Sequence, residues 1–240
     1  MHILEVKDIT KNYGKRCVVR NLSLYVTTGE IVGLLGPNGA GKTTTFYMIV
    51  GMIKPENGSI SLDGEDIGQL PMYKKAMRGI SYLPQEPSIF RKLTVKDNLR
   101  AVLEIKGYSG ADIAVMVEEL LDEFNLRGFA DRNGYRLSGG ERRRTEIARA
   151  LALKPTFILF DEPFTGIDPI AIIELKKMLT YLKNKGLGIL ITDHNVRDTL
   201  SITDRAYIIN NGEVLTEGAP EAIIANPQVK DAYLGDEFKL

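Results

Sequence analysis

The chain has 240 residues, 31 Lys and Arg against 31 Asp and Glu, 44% hydrophobic residues and a mean hydropathy of -0.09; this composition excludes a wholly disordered chain, and its length can bury about 70% of the unfolded surface without staples. The single cysteine, Cys17, excludes an internal disulfide or a structural zinc knuckle and predicts a reducing cytosolic setting, while zero net charge argues against nucleic acid as a partner. Apolar stretches such as Ile31 to Leu35 and Phe157 to Phe160 fall far short of the roughly 18 residues of a spanning helix, and Met1-His2-Ile3-Leu4-Glu5 has no signal-peptide character.

Along the chain, Ile3 to Ile9 and Leu22 to Val26 read as strands, Thr27-Thr28-Gly29-Glu30 as a turn, and Ile31 to Leu35 as a short buried strand. Asn57-Gly58 and Asp63-Gly64 are hairpin-type turns flanking Ser59 to Leu62, so an antiparallel sheet is expected here. After the strand-like Ile80 to Leu83, the residues Ile113, Met116, Val117, Leu120, Leu121 and Phe124 recur at helical spacing opposite Glu118, Glu119, Asp122 and Glu123. A helical insertion is therefore expected at about 85–135. The last third alternates strand Thr156 to Phe160, helix Pro169 to Lys185, strand Gly188 to Thr192 and helix Val196 to Ile202. That order predicts a parallel sheet covered by helices. An Ala206 to Val214 hairpin turning at Asn211-Gly212 and a short helical tail follow.

Three motifs carry chemistry. Gly36-Pro37-Asn38-Gly39-Ala40-Gly41-Lys42-Thr43, with Thr44 next, follows an expected strand and fits the phosphate loop G-x-x-x-x-G-K-[ST]. Its backbone N–H groups would face phosphates, Lys42 would reach the β and γ oxygens, and the Thr43 hydroxyl would serve Mg²⁺. The apolar run Phe157 to Phe160 ends in Asp161, suited to Mg²⁺ through its water shell, and in Glu162, suited to activating water. Leu137-Ser138-Gly139-Gly140-Glu141 sits at an expected helix start, where Ser138 can serve as a capping residue with Glu141 and also present its hydroxyl and glycine amides to an anion. A guanine-reading N-K-x-D is missing, because Asn184-Lys185-Gly186-Leu187 lacks the aspartate.

Taken with Tyr13, Gln85, Gly166-Ile167-Asp168-Pro169 and His194, these motifs resemble the full set of an ABC-transporter ATPase subunit, over nearly the whole chain. The resemblance implies an α/β P-loop NTPase fold with a parallel core sheet, an antiparallel β subdomain and a helical subdomain. A single ABC ATPase domain would place the core and antiparallel sheet in 1–84 and 136–240. It further implies ATP and Mg²⁺ as cofactors, Tyr13 stacked on adenine, Gln85 sensing Mg²⁺ and the attacking water, Glu162 as base and His194 on the γ-phosphate. Ser138, Gly139 and Gly140 would meet the nucleotide held by a second copy, making the active form a homodimer. In the family the histidine is usually followed by aspartate, whereas Asp193-His194-Asn195 places the acid before it.

Within the family, Ser88-Ile89-Phe90-Arg91, Gly140 to Arg144, Asp161 to Pro169, Ile191 to Arg197 and the ending Tyr233 to Leu240 are similar to the lipopolysaccharide-export ATPases of Gram-negative bacteria. That likeness implies two integral membrane subunits, a peripheral place on the cytoplasmic face of the inner membrane, and no direct contact with the transported substrate. Branched-chain amino acid importer ATPases look related, and a soluble ABC regulator without a membrane partner is a reading of a different class. Phe90 beside Arg91 offers an apolar anchor with an adjacent charge, as at interface centres; the alternative is that Phe90 packs the insertion onto the core.

Overall fold

Residues 1–234 are described by the computed structural model; the end of the string Tyr233 to Leu240, from Gly235 onward, lies outside the described residues. The chain divides into two units, 1–82 with 156–240, and 83–155.

In the first unit, apolar residues at every second or third position bury one side of Ile3–Tyr13 (β1) and Arg16–Thr27 (β2). These strands and Asn57–Leu62 (β4) and Glu65–Asp66 (β5) form an antiparallel sheet in the order β2-β1-β4-β5. The expected turn at Asn57-Gly58 is instead the start of β4. Asn57 pairs with Thr10 across a register shift between Lys7 and Thr10, so irregular pairing in β1 absorbs what looked like turn chemistry. Asp63-Gly64 and Asn211-Gly212 do turn, with φ of 52°, 84°, 50° and 85°, the paired positive angles of a type I′ hairpin.

The second sheet follows the order β10-β9-β3-β8-β7-β6, built from Ile31–Leu35 (β3), Ile80–Leu83 (β6), Phe157–Asp161 (β7), Gly188–Thr192 (β8), Arg205–Asn210 (β9) and Glu213–Gly218 (β10). The pairs β3–β8, β3–β9 and β7–β8 are parallel. Every residue of β3, β7 and β8 is buried, as continuous apolar strands covered on both faces must be. One core joins the antiparallel sheet to these strands and to helix Lys42–Val50 (α1). On the other side Leu35, Ala206 and Ile208 meet Val196 and Leu200 of Val196–Leu200 (α7) and Ile223 of Pro220–Ala225 (α8). Helix Pro169–Asn184 (α6) starts on Asp168, whose carboxylate accepts from the N–H groups of Ile170 and Ala171 at 3.0 Å each. Helix Met72–Met77 (α2), not foreseen in the sequence, sends buried Lys75 to the last turn of α1, where its Nζ donates to the carbonyls of Met48 and Ile49 at 2.9 Å each.

The second unit is longer than the expected 85–135 because helix Gly139–Ala152 (α5) packs with Val95–Lys106 (α3) and Gly110–Glu123 (α4). Ile113, Val117, Leu120 and Leu121 form the buried stripe of α4, and Thr94 and Ser109 cap α3 and α4 by accepting from Asp97 N–H and Asp112 N–H.

Candidate active site

Parallel register brings the C-terminal ends of three strands side by side. Leu34 of β3 pairs with Thr192 of β8, which pairs in turn with Asp161 of β7. The residues that follow these strands are Gly36, Asp193 and Glu162, at the edge where open parallel sheets gather ligands.

Between β3 and α1 the loop 36–41 turns sharply. A Cβ on Gly36 would stand 2.1 Å from the Ile209 carbonyl oxygen, and one on Gly41, at φ 104°, 2.7 Å from that of Val18, so neither position admits a side chain. Helix α1 then starts with no side-chain cap and no acid in its first turn, which leaves its positive end open to an anion. Pro37 is half-buried, Asn38, Gly39 and Thr43 are exposed, Ala40 is buried and Thr44 is half-buried. Lys42 is buried and its Nζ donates to the carbonyls of Gly36 at 2.7 Å and Pro37 at 3.0 Å. Burial lowers its pKa, and the charges of Glu162, Asp193 and Asp161 act against that. An open cleft of about 370 Å³ adjoins the loop, lined by Arg16, Cys17, Val18, Arg20, Gly39 and Asn211. Tyr13 ends β1 with its ring half-exposed and the Lys11 ammonium 5.9 Å from the ring centre.

Hydrogen bonds hold the acidic strand end. Asp161 is buried, and its two oxygens accept from the hydroxyls of Thr192 at 2.7 Å and Tyr82 at 3.0 Å. Burial together with the Asp161 charge pushes the Tyr82 phenol well above its usual range, so it stays a donor. Glu162 holds a left-handed φ of 45° and its N–H donates to the Thr192 carbonyl at 2.8 Å. Its Oε2 lies 3.3 Å from His194 Nδ1 and accepts from the Thr165 hydroxyl at 3.4 Å; that hydroxyl also lies 3.4 Å from His194 Nε2. The acid placed before the histidine has a clear position. Asp193 is fully buried and accepts from the N–H groups of Phe164 and Asn195, both at 2.8 Å, clasping the loop after β7 to the loop after β8. Burial raises its pKa. In the sequence Asp193 stands out only as the acid before His194, with no role of its own, and Thr192 does not stand out; the available signal for a role was an acid closing an apolar strand, the same signal that Asp161 gives.

Among the described residues no group of three His, Cys, Asp or Glu could hold a metal ion. The site nevertheless fits Mg²⁺ held mainly by phosphates and water, because Asp161 keeps lone pairs for a water and Thr43 offers an exposed hydroxyl.

In the second unit Gln85 is exposed, two residues after β6. Ser138 caps α5 in a capping box: its Oγ accepts from Glu141 N–H at 3.3 Å and its N–H donates to Glu141 Oε2 at 2.8 Å, with Gly139 exposed and Gly140 half-buried. Phe90 is 44% exposed with the Arg149 guanidinium 4.6 Å from its ring centre, and Arg91 is exposed.

The family model described as ABC transporter matches residues 19–165, and that described as branched-chain amino acid ATP-binding cassette transporter matches 213–239. The chain is 56% identical to a Haemophilus influenzae protein named lipopolysaccharide export system ATP-binding protein LptB, over all of both chains. It is 53% identical to the Acidithiobacillus ferridurans protein of that name, over 99% of each. Its fold is similar to the ADP conformation of an ATP-binding cassette of an ABC transporter, with a TM-score of 0.87 and 29% identity over 98% of this chain and 100% of that one.

Proposed function

Because the chain belongs to the ABC transporter family of ATP-binding subunits, we propose that it powers lipopolysaccharide export as a homodimer beneath two membrane subunits, on the cytoplasmic face of the inner membrane. It binds ATP and is an ATPase that drives transport. No helix of the described residues is long and apolar enough to cross a membrane.

The chemistry follows from the strand edge. Phosphates seat on the amides of loop 36–41 and the positive end of α1, with Thr43 and Thr44 in its first turn. Lys42 exchanges the carbonyls of Gly36 and Pro37 for the β and γ oxygens, and Tyr13 stacks on the adenine. Thr43, Gln85 and, through water, Asp161 would hold Mg²⁺ beside the phosphates, and the ion would supply neutralisation of phosphate charge. Glu162 takes the proton of a water whose oxygen bonds to the γ-phosphorus as the bond to the β-phosphate oxygen breaks, leaving ADP and phosphate. His194 steadies that carboxylate from 3.3 Å and reaches toward the γ-phosphate. Ser138, Gly139 and Gly140 of a second copy close the site over the nucleotide. The observation that carries hydrolysis is the convergence of Lys42, Asp161, Glu162 and His194 at one strand edge.

Likeness to the export ATPases over the full length of both chains favours lipopolysaccharide as the cargo. The match at 213–239 favours branched-chain amino acid import as the second reading. Extraction of membranes in mild detergent, with identification of what co-purifies, tests them. Export subunits are expected; importer subunits would overturn the cargo, and absence of any membrane protein would overturn the membrane attachment. The same experiment on Phe90→Ala should show weaker association, by roughly 2 kcal/mol or more for an interface anchor, with an unchanged melting temperature. A destabilised variant that keeps its partners would make Phe90 a packing residue.

A further inference from the structure

The turn after β7 is bent against the preference of its own residue. Glu162 has a φ of 45°, in the left-handed region, where the Cβ of an L-residue crowds a carbonyl oxygen. Strain of this kind persists only where the surroundings leave the chain no other course. The bonds along the turn show what those surroundings are. Glu162 N–H donates to the Thr192 carbonyl at 2.8 Å, and Thr165 N–H closes the turn on the Glu162 carbonyl at 3.3 Å. Between them the Phe164 N–H donates to Asp193 Oδ2 at 2.8 Å, while Oδ1 of the same carboxylate takes the Asn195 N–H, also at 2.8 Å.

Asp193 is fully buried, and a buried carboxylate is unfavourable unless its oxygens are well met. No step of hydrolysis runs through it, so the cost of burying it is offset by what it holds. Both bonds go to backbone, one on each side of the Glu162–His194 pair: Phe164 lies two residues past Glu162, and Asn195 one past His194. A carboxylate suits this place because each of its oxygens accepts, whereas an isosteric amide would turn an NH₂ toward one of the two donors. The Phe164 ring is buried too and offers a second, apolar hold on the same turn.

We propose that Asp193 is a positioning residue that holds the left-handed turn at Glu162 and so keeps the Glu162 carboxylate 3.3 Å from His194. With one oxygen on each loop, it sets the two side chains relative to each other through the backbone. The catalytic consequence rests on the reading that Glu162 activates water; the strain itself is measurable without nucleotide.

Denaturant unfolding of the full-length, nucleotide-free chain reads that strain. Glycine is free of it and alanine is not, so Glu162→Gly should unfold at a higher denaturant concentration than Glu162→Ala. Adding Asp193→Asn should shrink this gap by about half or more, because the turn can then relax; Phe164→Leu, which keeps the N–H on Asp193, should leave it standing. Absence of a gap beside Asp193, a gap unchanged by Asp193→Asn, or one erased equally by Phe164→Leu would each overturn the proposal. The unaltered chain gives a second reading that no misfolded variant can obscure: the Phe164 and Asn195 amides should exchange with solvent at least about tenfold more slowly than free amides, and free exchange at Phe164 would overturn it as well. In turnover, Asp193→Asn should slow hydrolysis by about tenfold or more, as displacement of a reacting group does, with ADP bound no more weakly, since a negative charge near Lys42 has gone. Parallel losses of ADP affinity and turnover would refute a positioning role. Hydrolysis at the parent rate by Glu162→Gln, with a gap that still depends on Asp193, would instead remove Glu162 as the base and leave the hold on the turn intact.

Discussion

Glu162 pairs its chemistry with a backbone angle that L-residues avoid. At φ 45° the left-handed region costs roughly 1–2 kcal/mol for a residue with a Cβ, and the turn it makes swings the carboxylate beside His194 and off the line of β7. Glu162→Gln, nearly isosteric, should keep ATP binding and lose about 10² to 10⁴-fold in turnover, read by nucleotide titration and phosphate release. Turnover at the parent rate would reject the assignment. The angle makes its own prediction: Glu162→Gly should be about 1 kcal/mol more stable than Glu162→Ala in denaturant unfolding, the reverse of the order at ordinary positions. The acidic pair was legible in the sequence because the apolar run 157–160 ends abruptly in two carboxylates. Asp193 was not, because its work is to bind the N–H groups of Phe164 and Asn195, contacts that exist only once β7 and β8 are paired.

Elements differ in how openly they announce themselves. Strands β3 and β8 fall where unbroken apolar runs place them, and α4 where its helical stripe does. Helix α2 is six residues long with exposed Met72, Tyr73 and Met77, and its one buried side chain is a lysine, so no apolar period marked it. The capping box of α5 poses a different question, since the same Ser138 that satisfies helix physics is proposed to touch phosphate. Ser138→Asp separates the two roles. Aspartate caps about as well as serine, so stability should stay within about 0.5 kcal/mol, while a negative charge facing the γ-phosphate should abolish hydrolysis. Retained activity in that variant would leave Ser138 as a cap and nothing more.

For the whole molecule, the proposed pairing of two copies bears on one exposed apolar stripe. Ile167, Ile170 and Ile173 are exposed at three-residue spacing along the start of α6, close in sequence to Glu162. A second copy would cover such a stripe, which supports sites shared in trans. Mixing Lys42→Ala chains with Ser138→Arg chains should then restore roughly a quarter of the parent rate at equal amounts if the two sites act independently. Mixed dimers that form but never exceed either variant would refute sharing. The division of the chain also fixes an order of events at birth. Unit 83–155 is continuous in sequence, whereas β3 cannot find β8 or β9 until Ile189–Thr192 and Arg205–Ile208 have been made. Contacts that distant are slow to close, so on the ribosome the helical unit has all its chain in hand while the ATP-binding sheet still waits for its middle strands. The nascent chain therefore passes through an interval in which the buried faces of β3 and α1 lack their cover, and during synthesis that interval is its exposure to misassembly.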